Sequence, residues 1–152
     1  MLPFFKKKPL LKAADQQMIE QSIQQAESKT SGEIRVYVEP HCAQADAIDR
    51  AKEIFAQLGM EKTQARNAII VYVAITDRKF ALFGDKVIYE NAGGAQFWKK
   101  AADTMATKLK QNKLAEGISD CVLELGAALA QHFPYDPTTK KNELPDEIVF
   151  GK

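Results

Sequence analysis

From Ala13 to Lys29 the apolar residues Ile19, Ile23 and Ala26 recur at three- and four-residue spacing, with Met18 beside them and Gln and Glu between, which predicts a first helix. Ser31-Gly32 breaks that period. Residues 33–39 then alternate, placing Ile34, Val36 and Val38 on one face of a strand that Pro40 ends. Beyond a loop through His41 and Cys42, the stripe Ala47, Ile48, Ala51, Ile54, Phe55 and Leu58 predicts a second helix, with Gly59 as its C-terminal cap. Ala68 to Ile75 is an almost unbroken β-prone run, the pattern of a central strand covered on both faces.

Thr76-Asp77-Arg78-Lys79 is a short polar connection into Phe80-Ala81-Leu82-Phe83, so the second and third strands are expected to form an antiparallel hairpin. Gly84-Asp85 turns the chain, and Val87-Ile88-Tyr89 fits either a short strand or a helical turn. Phe97, Trp98, Ala101, Met105 and Leu109 mark a helix starting at Ala95; Leu114, Ile118, Val122, Leu125 and Leu129 mark another that ends near His132. A crossover of this length between the first two strands implies a parallel, right-handed pair. The expectation is an α/β fold, a three-layer α-β-α sandwich with a mixed sheet of about four strands flanked by helices. Residues 1–12 read as a basic N-terminal tail and 13–152 as one domain whose C-terminal extension, with Leu144, Ile148, Val149 and Phe150, can dock on the body.

At 152 residues and 45% apolar composition the chain can fill one core. The formal charge is +1, but Lys6, Lys7, Lys8 and Lys12 supply +4, leaving residues 13–152 at −3. A slightly acidic body without a basic stripe argues against nucleic acid as a partner. Phe4-Phe5-Lys6-Lys7-Lys8 with Leu10 and Leu11 offers peripheral contact with an anionic membrane, although a hydrophobic clasp onto the first helix is the preferred reading. No stretch reaches the length of a membrane span, and the order of charge and apolar residues at the start is the reverse of a secretory signal, which makes cytoplasmic residence the expectation.

Catalytic signals are sparse. Cys42 and Cys121 lack Cys-x-x-Cys spacing, and the arginine after His41-Cys42 is Arg50, too distant for a phosphatase loop built on a thiolate. Gly93-Gly94 has no following lysine to reach a phosphate, and no glycine-rich dinucleotide fingerprint is present. His132 at a helix C-terminus is accounted for by the helix dipole. Carboxylates remain the most informative polar groups. One end of the sheet is expected to gather Glu39, His41, Asp46 and Asp77, and the other Glu33, Asn67 and Asp85. Loops at either end can offer a hard cation, calcium or magnesium, several oxygens without any contiguous motif. The plainer alternatives are a turn residue at Asp77, a helix N-cap at Asp46 and a surface charge at Glu33.

Ser31-Gly32-Glu33-Ile34, residues 67–74 followed by Asp77-Arg78-Lys79, Gly84-Asp85, Phe97-Trp98, Glu116-Gly117, His132-Phe133-Pro134 and Asn142-Glu143-Leu144-Pro145-Asp146 occur in an order that resembles the TPM domain, more narrowly its small soluble bacterial branch. The resemblance covers about residues 14–147 and implies a mixed sheet between helices. Both phosphatase activity and calcium binding are attributed to members, in settings diverse enough to imply a scaffold or binding role. It points to Glu33, Asp77 and Asp85 as metal ligands. The leading expectation is a non-catalytic interaction module that binds calcium or magnesium through loop carboxylates and orders a surface for a protein partner. The alternative is a metal-dependent acid phosphatase using the same acids to activate water.

Overall fold

The alternating segment and the long apolar run become the two middle strands of a sheet. The computed structural model describes residues 9–91, 95–138 and 144–152. In it, β1 (Glu33–Glu39) and β2 (Ala68–Ala74) pair in parallel, from Glu33 opposite Ala68 to Glu39 opposite Ala74. Every residue of both strands is buried, as covering on two faces requires. β3 (Lys79–Gly84) returns antiparallel to β2 through a turn in which Arg78 takes φ 54°. β4 (Val149–Phe150) adds to the free side of β1 in parallel, giving the order β3-β2-β1-β4.

The helices are α1 (Ala13–Glu27), α2 (Ala47–Gln57), α3 (Lys86–Asn91), α4 (Ala95–Lys110) and α5 (Leu114–His132), with a 3-10 turn at Met60–Lys62. Strand alternation sorts the core into two. Ile34, Val36, Val38, Ile69, Val71 and Val73 meet α1, α4 and α5, whereas Tyr37, Ile70 and Tyr72 meet α2 and Met60. The molecule is thus the expected three-layer sandwich on a mixed four-stranded sheet.

Two details resolve what the pattern left open. The segment around Val87-Ile88-Tyr89 is helical, because Asp85 starts α3: its Oδ1 accepts from the Lys86 N–H at 2.7 Å and its carbonyl from the Ile88 N–H at 3.0 Å. The fourth strand comes from the C-terminal segment. It is fastened by Leu144 N–H to Glu33 Oε1 (2.9 Å), Ile148 N–H to Glu20 Oε2 (3.2 Å) and Gly151 N–H to the Val38 carbonyl (2.8 Å). At the other terminus Leu11 is buried in the larger core, and Gln16 Nε2 donates to its carbonyl at 2.9 Å. Phe4, Phe5 and Lys6 to Lys8 lie outside the described residues, as do Asn142 and Glu143. Among the described residues no helix is long and apolar enough to cross a membrane.

Candidate functional site

At the C-terminal ends of β1 and β2 the chain builds two polar clusters. Glu39 ends β1 on the α2 face, and Arg50, one turn into α2, forks onto it with Nε at 2.8 Å and Nη2 at 2.9 Å. Tyr72 on the neighbouring strand donates its hydroxyl to the same carboxylate. Burial works to raise the Glu39 pKa, but the bonds from Arg50 and Tyr72 outweigh it and hold the carboxylate below its ordinary value. Burial, then the hydrogen bonds with Glu39 and Cys42, pushes the Tyr72 phenol up, so it stays a neutral donor.

Next to this, Asp77 in the β2–β3 turn takes His41 Nδ1 at 2.9 Å and the Cys42 N–H at 2.7 Å. Those two bonds hold its pKa low, the histidine contact first. Asp46 is the N-cap of α2, accepting from the Ile48 N–H at 3.0 Å. Cys42 Sγ donates to the Gln44 carbonyl at 3.3 Å. Cys121 is fully buried, and burial pushes its thiol up to about 12, which leaves it inert at neutral pH.

At the opposite end, Asp85 is buried and forked by Arg66, with Nε at 2.6 Å and Nη2 at 2.7 Å. Arg66 reaches it from a left-handed backbone, φ 54°. Glu33 faces the C-terminal segment through Leu144. It lies opposite Ala68, whose carbonyl accepts the Asp85 N–H at 2.9 Å, so β2 separates the two acids by two strand spacings, about 10 Å. Asp77 is farther still: the seven residues of β2 span about 20 Å. Glu33, Asp77 and Asp85 therefore do not share one ion, and all three already receive cationic or N–H donors. Among the described residues no three His, Cys, Asp or Glu side chains are grouped so as to hold a metal.

One acidic corner escaped the sequence reading. Glu27, the last residue of α1, is buried and accepts the Ile34 N–H at 2.8 Å. Its carboxyl contacts that of Asp146, and Glu33 lies within electrostatic range; burial first, then these two acids, raises its pKa to about 8. Asp146 Oδ1 is buried with no hydrogen-bond partner. The signal for Glu27 was present, since an acid in the last turn of a helix opposes the helix dipole and calls for another reason to be there. Asp146 gave none, because its position depends on how the extension docks.

The fold recurs in solved structures. The BA42 protein of the psychrophilic bacterium Bizionia argentinensis is similar over 96% of this chain and 99% of its own, at 34% identity and a TM-score of 0.87. The N-terminal domain of the cg2496 protein of Corynebacterium glutamicum shares the fold at 12% identity and a TM-score of 0.66, covering 95% of this chain and 93% of that one. The N-terminal domain of a P. gingivalis protein does so at 18% identity and 0.67, covering 84% and 83%. No curated protein matches the chain. The profile of the TPM domain matches residues 5–128, and with the order of elements and the relation to BA42 it establishes that this chain belongs to the TPM domain family.

Proposed function

We propose that this chain is a non-catalytic interaction module that takes up calcium or magnesium at the corner formed by Glu27 and Asp146, with Glu33 adding negative charge. The observation that carries the reading is the buried Asp146 Oδ1, which has no donor turned to it and sits beside the Glu27 carboxyl. A buried carboxyl oxygen without a donor is costly, and two carboxyls in contact need a shared proton or a cation between them. The donors are all hard oxygens, which suits calcium or magnesium rather than softer metals, and backbone carbonyls and water can complete such a shell. Glu27 and Glu33 are buried on all but a few per cent of their surface, which favours binding over turnover of a substrate. Asp77 and Asp85 fall outside this site, each serving its own turn.

The consequence is mechanical. Asp146 belongs to the C-terminal segment, whereas Glu27 and Glu33 belong to α1 and β1, so an ion would staple that segment to the body and order the surface it presents to a protein partner. The ion competes with the proton on Glu27, so uptake strengthens as pH rises toward and past about 8. Titration with calcium and magnesium at alkaline pH, followed by amide NMR, is expected to shift Ile34 and Asp146 saturably in the full chain and not in Glu27→Gln. Amides at this corner that stay unmoved at millimolar calcium would sink the proposal.

A further inference from the structure

Among the described residues three arginines donate to a side chain: Arg50 to Glu39, Arg66 to Asp85 and Arg78 to Asn112. Arg35 differs. It is an inward-facing residue in the middle of β1, 8% exposed, and its Nε has no hydrogen-bond partner. Arg35 lies on the wall of a cavity of about 440 Å³ between the end of α2, the 3-10 turn and the returning C-terminal segment. Thr63, 4% exposed, also lines the cavity, and its hydroxyl is equally without a partner.

The rest of the lining makes a consistent environment. Lys62 adds a second positive charge, and among the described residues no carboxylate lines the cavity. Gly59, at φ 65°, turns the chain between α2 and Met60, and the Lys62 stem passes close to where a Cβ on Gly59 would be. Leu58, Leu144 and Pro145 supply an apolar wall. Burial pushes the Arg35 pKa down and Glu147 partly offsets this, but a guanidinium remains charged at neutral pH. A guanidinium whose Nε is unpartnered, a hydroxyl and an ammonium lining one cavity together with aliphatic carbons form a complement to an acid group carried on a small organic body.

We propose that this cavity binds a small organic oxyanion, a carboxylate or a phosphate ester. Arg35, Thr63 and Lys62 hold the acid group, and Leu58, Leu144 and Pro145 cover the organic part. The site differs from the Glu27–Asp146 corner in the sign of its ligand; the two adjoin along β1, where Glu33 and Arg35 are two residues apart, and along the C-terminal segment, where Pro145 precedes Asp146.

The test is an amide NMR titration of the full chain with EDTA present, which removes any dependence on a divalent cation. The probes are benzoate, phenyl phosphate and, as an uncharged analogue, benzyl alcohol. Saturable shifts at Gly59, Lys62, Thr63 and Leu144 are expected with at least one acid and not with the alcohol, and the stronger acid identifies the head group. Arg35→Met and Lys62→Met are each expected to weaken binding about tenfold. Lys62 is exposed, so its variant retains the fold and decides the matter even where Arg35→Met does not fold. Absence of saturable shifts with either acid, equal binding of benzyl alcohol, or full affinity in Lys62→Met overturns the proposal.

Discussion

Glu27 and Glu39 are both buried carboxylates, yet their surroundings drive them in opposite directions. Glu39 has a guanidinium fork and a phenol, and its pKa lies below the ordinary 4.5. The stability it contributes is present above 4.5 and is lost as acid protonates it. Glu27 is raised to about 8 by burial and by neighbouring acids. Its folded form holds the proton more tightly than the unfolded chain does, so the fold is favoured below 4.5 and loses stability as pH climbs from there through about 8. The size of that loss is on the order of a few kcal/mol. Glu27→Gln keeps the acceptor for the Ile34 N–H and removes the titration. Thermal melts between pH 5 and 8 should therefore fall for the natural chain and stay nearly level for the variant, which becomes the more stable of the two at pH 8. Parallel curves would contradict this assignment of Glu27.

At the scale of elements, α5 and α1 pack so closely that a glycine is required at their crossing. A Cβ built on Gly126 would stand 2.5 Å from the Cβ of Ala26 and 2.8 Å from its Cα, and backbone cannot give way as a long side chain can. Gly126→Ala gains helix propensity yet forces the two helices apart, and chemical denaturation should record a net loss of about 1–3 kcal/mol. A neutral or stabilising result would mean that the helices have room to separate. The helices and middle strands were readable because each carries a pattern of seven or more residues: the run 68–75 declares a strand covered on both faces, and the 118–129 stripe declares α5. The three-residue pattern at Val87-Ile88-Tyr89 was too short to choose between strand and helix, and Asp85 decided it through a cap. The acids were readable only as far as the strand end to which each belongs. Which donor claims each one is tertiary information, for instance the left-handed Arg66 that swings its fork onto Asp85.

For the molecule as a whole, the C-terminal segment closes the open side of the sheet. Its own pattern is weak, because β4 is only two residues long, and its strength comes from what it covers. It buries Leu144 and Ile148, caps Glu33 with a backbone N–H, brings Asp146 to Glu27 and walls the Arg35 cavity with Leu144 and Pro145. It also pairs with Tyr37 and Val38 of β1, whose backbone groups would otherwise form a free edge beside a strand of high β propensity. Removing residues 137–152 should leave the helices and the β1–β2–β3 sheet in place, because those contacts do not pass through the segment. It should lower the melting temperature and expose β1 as an edge, so that the shortened chain associates through strand pairing. Light scattering after size exclusion would then show species larger than those of the full chain at the same concentration, and amide exchange at Tyr37 and Val38 would quicken at the lowest concentrations. An unchanged melting temperature and elution would place the segment outside the cooperative fold, and with it the proposed cation and anion sites that both depend on its docking.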